Sequence, residues 1–278
     1  MSGLSTPWSR PLAPGWHPPD VDAGSPSIAR VYDYVLGGKD HYEVDRNAAQ
    51  ALIDAVPQSP LMAQESRRFI RRGVRYLVRD AGLRQLIDIG SGLPTAGNVH
   101  EIAHEIDPSV RVVYVDNDPI VLAHGRALLQ ERGTSTIIQA DLREPATIFD
   151  DPGTRALIRP DEPYAVLLGG ILHHLHDHED PWALTEEIRM RIPPGGHLLI
   201  ANFARIGDPR AEELERAFLR GGLGRGRFRT YAEQLRFLGD LELVPPGLVP
   251  VNDWRPDSRT PATSPVRDLY IGAIGRKR

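Results

Sequence analysis

The chain has 278 residues, of which 41% are hydrophobic and 25% charged, an ordinary globular composition with apolar material for one large domain and an appendage. Its net charge of −4 argues against nucleic acid or an anionic membrane as the main partner, and the absence of cysteine excludes disulfides, thiolate nucleophiles and Cys-ligated zinc. No apolar run approaches the roughly 20 residues of a membrane span, and the opening "MSGLSTPWSRPLAPGWHPPD" lacks the apolar core of a signal peptide, so a cytoplasmic protein is expected.

Residues 1–26 are rich in Pro, Gly and Ser without a period and read as a flexible tail. Helical spacing starts at Ser27 or Ile28: "SIARVYDYVLGG" puts Ile28, Val31, Tyr32 and Val35 on one face, and Gly37-Gly38 ends it. "YEVDRNAAQALIDAV" predicts a second helix, and "QESRRFIRRGVRYLVRDAG" a third with Phe69, Ile70, Val74, Leu77 and Val78 on its apolar side. Residues 27–82 are therefore expected to form an N-terminal helical cap.

At Leu83 short apolar runs begin to alternate with helical stretches. Strands are expected at 85–90, 111–116, 135–141, 164–170 and 197–203, with helices at 96–106, 119–131, within 143–158, and at 181–191. The runs are apolar on both faces, as buried parallel strands are. Two further helices (209–220, 230–238) precede strands at 241–251 and 268–277, whose short connection predicts an antiparallel pair. The fold class is α/β: a doubly wound, seven-stranded, mostly parallel sheet of Rossmann-like type over 83–278.

Ligands of such a sheet bind beyond the carboxyl ends of its strands, where strand order reverses. The first strand ends Asp88-Ile-Gly90-Ser91-Gly92-Leu-Pro94, a turn that lets a ligand approach the backbone. It fails the dinucleotide pattern G-x-G-x-x-G, because Thr95 stands at the third glycine position. The second strand ends Asp116-Asn117-Asp118, where Asp116 would accept from ribose hydroxyls and Asp118 would cap the helix opening at Pro119. The third ends Asp141-Leu142, a carboxylate placed for a purine amino group. Each acid alone would also suit a helix cap. Three at consecutive strand ends point to one site.

"LHHLHDHEDP" (172–181) follows the fourth strand. Its four histidines invite a metal reading, but no H-E-x-x-H is present. His173 and His174 stand nearest the strand end, as candidate general bases on the ground that imidazole titrates near neutrality. The residues from His176 to Asp180 read as a solvent-facing loop, with Asp180 capping the helix at Pro181.

The segments "IDIGSGLPT", "VVYVDNDP", "IIQADLRE" and "LLGGILHHLHD" together resemble the seven-stranded S-adenosylmethionine-dependent methyltransferases. "ARVYDYVLGGKDHYEVDR" narrows this to a bacterial methyltransferase family long carried as a domain of unknown function, over about residues 27–277. The resemblance implies S-adenosyl-L-methionine as cofactor. It implies Gly90, Ser91, Gly92 and Gly170 against the methionine part and ribose, and Asp88 at its amino end. Asp116 would hold the ribose, with Asn117, Asp141 and Leu142 around the adenine, and Tyr32 would join the donor site. Tyr34, Lys39 and Tyr42 are expected in the acceptor pocket, and a small molecule as methyl acceptor. Competing readings are a donor-binding regulatory protein without transfer activity, an NAD(P)-dependent oxidoreductase, and a metal-dependent hydrolase.

Overall fold

A computed structural model describes residues 22–94, 97–129, 133–224 and 226–278. The expected tail up to residue 21, Thr95, and the helix ends at 96 and 130–131 lie outside the described residues.

The helical start comprises α1 (Ile28–Val35), α2 (Glu43–Ala55) and α3 (Ser59–Arg75), continued by a π-helical turn at Tyr76–Asp80. α3 begins five residues before the expected Gln64, because Ser59-Pro60 opens it: proline lacks an N–H that the first helical turn does not need. Five parallel strands follow, β1 (Gln85–Ile89), β2 (Arg111–Asp116), β3 (Ser135–Gln139), β4 (Ala165–Gly169) and β5 (His197–Phe203). They are linked by α4 (Val99–His104), α5 (Pro119–Leu129), the short α6 (Pro145–Asp150) and α7 (Pro152–Leu157), and α8 (Pro181–Arg191). α9 (Arg210–Arg220) and α10 (Tyr231–Leu238) lead to β6 (Glu242–Leu243), β7 (Val249–Pro250) and β8 (Tyr270–Arg276).

The expected strand at 241–251 is thus two short ones. Pro245 and Pro246 cannot donate to a ladder, and Gly247 turns the chain between them and β7. The sheet runs β3-β2-β1-β4-β5-β8-β6, with β7 also on β8; β8 is antiparallel to all three of its neighbours. This is the doubly wound, mostly parallel sheet expected. Strand order reverses between β1 and β4, so their carboxyl ends open a crevice.

Each face of the sheet carries its own core. On one, Phe69, Val74 and Leu77 of the helical start share a cluster with Leu86, Val112, Leu167 and Leu199. On the other, Ile87, Val113, Val166 and Leu198 meet Ile148, Ile188 and Phe237. α3 lies close on the sheet: Gly73 leaves no room for a Cβ against Leu199, and Gly272 none against Phe69. The helical start is therefore built onto one sheet face as well as over the crevice. Among the described residues, no helix is long and apolar enough to cross a membrane.

Candidate functional site

A cavity of about 860 Å³ lies over the carboxyl ends of β1, β2, β3 and β4, within the range of roughly 300–1,000 Å³ typical of small-ligand sites. Asp88, Gly90, Ser91, Gly92, Asp116, Asn117, Asp141, Leu142, Gly170, Tyr32, His173 and His174 all line it. Residues far apart in sequence meet there because each strand ends at the same rim.

The floor is the glycine turn. Gly90 and Gly92 have φ of 73° and 67°, left-handed values that side chains disfavour. A Cβ on Gly90 would overlap the Ile171 side chain, whereas one on Gly92 would meet nothing within 4 Å, since Gly92 faces open space. Asp116, only 9% exposed, ties this turn to β2: its Oδ2 accepts from the Gly92 N–H at 2.8 Å and its Oδ1 from the Asp118 N–H at 3.0 Å. Each oxygen keeps a further lone pair for a ligand hydroxyl. Burial raises the Asp116 pKa, against its backbone hydrogen bonds. Asp118 caps α5 as expected, accepting from Ile120 N–H at 2.8 Å, and also takes the Ser27 hydroxyl at 2.6 Å.

Burial likewise pushes Asp88 up to about 7, opposed by Arg67 and assisted by the nearby charge of Asp116. For Asp141, burial works upward, but hydrogen bonds from the Arg143 backbone and Asn117 prevail and lower its pKa. The Ser91 hydroxyl is buried on the cavity wall with no partner within the protein. This donor set fits S-adenosyl-L-methionine. Carboxylates at three strand ends suit an ammonium, ribose hydroxyls and an adenine amino group. The open space beside Gly92 admits a ligand against the backbone, and Ser91 lacks a partner that such a ligand would supply.

The other end is aromatic, with the Arg143 guanidinium near enough to His174 to act on its charge. The His173 ring stands edge-on to Phe203 at 4.6 Å and lies 4.1 Å from His174, while Phe218 packs against both histidines at 6.1 and 5.8 Å. Desolvation holds His173 well below the ordinary imidazole value, and His174 at about 4. Both are neutral at pH 7. The premise that they titrate near neutrality is corrected by their burial: they accept hydrogen bonds there but hold a proton weakly.

The rest of the histidine stretch faces solvent as expected, with Asp177, His178 and Asp180 exposed, and it is also anchored from beneath. Arg229, 1% exposed, donates to the carbonyls of Leu172 and Leu175 at 2.9 and 2.8 Å and to Asp177 at 3.0 Å. Arg227 adds a bond from its N–H to the His173 carbonyl at 2.7 Å and pairs with Asp177 at 3.0 Å. Glu179 accepts from the His176 N–H and pairs with Arg143. Asp180 caps α8 at Ala183 N–H, 3.1 Å. Among the described residues no cluster of three or more His, Asp or Glu is placed to hold a metal ion.

Three expected residues do not reach the cavity. Tyr34 packs edge-on to His41, Lys39 is exposed, and Tyr42 is 43% exposed beneath the Arg30 guanidinium. The cause is the turn between α1 and α2. Buried Asp33 accepts from Asp40 N–H at 2.8 Å, and buried Asp45 accepts from Tyr42 N–H, Arg30 and Ser27 N–H, folding the segment outward. The lining comes instead from α3, through Ser59, Met62, Ala63, Ser66, Arg67 and Ile70. That is one helical face by spacing, a signal the sequence carries. Phe203, Phe218 and Arg229 gave no local signal, since only the sheet order brings them to His173.

A profile of the S-adenosyl methyltransferase family matches residues 14–278. A candidate methyltransferase from Thermobifida fusca YX, known from its crystal structure, is 42% identical, with a TM-score of 0.89 over 95% of this chain and 99% of that one. A DUF574 family protein from Streptomyces avermitilis MA-4680 is 35% identical, with a TM-score of 0.87 over 92% and 99%. PigF with SAH, at 15% identity and a TM-score of 0.50 over 90% of this chain and 63% of that one, shares the fold alone. No curated protein matches at a significant level.

Proposed function

Because the chain belongs to the S-adenosyl methyltransferase family, whose cofactor is S-adenosyl-L-methionine, we propose that it transfers the donor's methyl group to an uncharged small-molecule acceptor held against His173 and His174. The observation that carries this is the division of one cavity. A carboxylate-rich end stands at the strand ends and an aromatic wall with two neutral imidazoles stands after β4.

When bound, the donor supplies an electrophilic methyl group with a neutral thioether as its leaving group. The protein's share is alignment and exclusion of water. Asp116 holds ribose hydroxyls and fixes the turn against which the donor lies. Asp88, ionised, faces the donor's ammonium, and Asp141 and Leu142 frame the base. His173 and His174, kept neutral by burial, add no positive charge beside a cationic donor. They accept a hydrogen bond from the attacking group and so orient it. The apolar surroundings of Phe203 and Phe218 favour an uncharged acceptor, because an ion there would lose its hydration against the aromatic rings.

Calorimetric titration with S-adenosylmethionine, S-adenosylhomocysteine and NAD tests the donor. The first two are expected to bind one to one and NAD not at all; tight NAD binding with no response to the others overturns the reading. Incubation with methyl-labelled donor and cell extract tests the acceptor. Label is expected in the small-molecule fraction; label confined to macromolecules removes the acceptor class proposed.

A further inference from the structure

His173 faces the cavity on one side and a buried amide pair on the other. Asn202 near the end of β5 and Gln234 in α10 are each 1% exposed. Two primary amides cost stability in such a place unless they are hydrogen-bonded. Their orientations follow from one fixed point. The Phe203 carbonyl only accepts, so the Gln234 atom 2.9 Å from it is Nε2. Gln234 Oε1 then accepts from Asn202 Nδ2 at 3.1 Å. Asn202 Oδ1 is thereby turned away from Gln234, and the polar group beside it is the His173 ring.

The remaining atoms complement each other. Asn202 Oδ1 and His173 Nδ1 are both buried, and neither has a hydrogen-bond partner. An amide oxygen accepts only, so a ring nitrogen facing it must carry the proton; two facing lone pairs would repel. A neutral imidazole has a single N–H, so the proton on Nδ1 leaves a lone pair on Nε2. We propose that Asn202 and Gln234 are positioning residues that hold neutral His173 as its Nδ1–H tautomer, so that Nε2 offers the cavity a lone pair and selects an acceptor bearing a hydroxyl or N–H proton. The selection of acceptor rests on the methyl-transfer reading; the tautomer does not.

Long-range proton–nitrogen correlation spectra of the full chain carrying ¹⁵N-histidine, without donor, read the tautomer directly. His173→Phe identifies the signals. The expected result is one neutral His173 tautomer at pH 7 with the proton on Nδ1. Asn202→Leu should shift the ring to Nε2–H or a mixture, and Asn202→Asp should restore Nδ1–H. A wild-type ring protonated on Nε2, or an Asn202→Leu ring unchanged in a folded protein, overturns the proposal. If Asn202→Leu does not fold, the wild-type tautomer and Asn202→Asp decide it. A packing role alone would lower the melting temperature without moving the proton. Because no donor is present, failure here leaves the methyl-transfer reading standing, and failure of donor calorimetry leaves the tautomer standing.

Discussion

Asp116 Oδ2 accepts from the Gly92 N–H at 2.8 Å, across 24 residues of sequence, so one carboxylate both shapes the donor turn and faces the donor. Asp116→Ala removes both functions. Donor affinity is expected to fall about 10- to 100-fold, the size of one lost charge-assisted hydrogen bond. Titration with S-adenosylhomocysteine measures it. Unchanged affinity would place the ribose elsewhere.

Gly90 and Gly92 share a left-handed backbone but face different surroundings, and their alanine variants should differ accordingly. Gly92→Ala costs the conformational penalty alone, about 1–2 kcal/mol of stability, yet puts a methyl into the donor space. Gly90→Ala adds overlap with Ile171, for about 2–5 kcal/mol in all. Urea unfolding beside donor titration separates them. Gly92→Ala should lose binding out of proportion to stability, and an equal loss of both in the two variants would contradict this division.

The strand ends were legible because their signal is local. β2 and β5 begin and end where their apolar runs do, and Asp88, Asp116 and Asp141 each stand next to a turn. α3 carries two faces at helical spacing: the apolar stripe of Phe69 and Val74 onward lies on the sheet and dominates the pattern, while the mixed face of Ser59, Met62, Ala63, Ser66, Arg67 and Ile70 lines the cavity. Tyr34, Lys39 and Tyr42 misled because a motif rich in aromatics and charge resembles a binding loop; buried Asp33 and Asp45 explain the same residues as a folded turn. The aromatic wall and the Arg227–Arg229 anchor involve residues 30 to 56 positions from His173. Local spacing has no means of reporting them.

Asp88 makes donor binding depend on pH. Burial pushes its pKa up to about 7, so an ammonium-bearing donor must find it ionised or displace its proton. On this account affinity weakens as pH falls below about 7, by up to about tenfold per pH unit. Asp88→Asn should bind more weakly at pH 8 and lose this part of the pH dependence. Calorimetry in buffers of different ionisation enthalpy would show proton release on binding by the wild type near pH 7 and none by Asp88→Asn. Parallel pH profiles for the two proteins would rule Asp88 out as the titrating group.

Stability should respond to acid through the buried histidines. His173 lies well below 6.5, and desolvation holds His174 and His197 at about 4, with Arg276 adding to the effect at His197. As pH drops from 6.5 towards 4, the unfolded chain binds protons at these rings that the folded protein does not, so these groups destabilise the fold. Asp88 acts in the opposite sense: folded, it keeps a proton between pH 3.8 and 7 that its unfolded form releases, so its contribution grows as pH falls. Asp116 and Asp33, also raised by burial, act with Asp88, so each ring's own share of the slope, at most about 1.4 kcal/mol per pH unit, is read by removing that ring. His197 lies at the opposite end of the sheet from the donor cavity, beside Tyr76. His197→Phe should therefore remove that share, making stability fall less, or rise more, between pH 6.5 and 4 than in the wild type, without altering donor affinity at pH 8. Urea unfolding across that range reads the slope, and a variant with the wild-type slope would show that His197 binds its proton in the folded state.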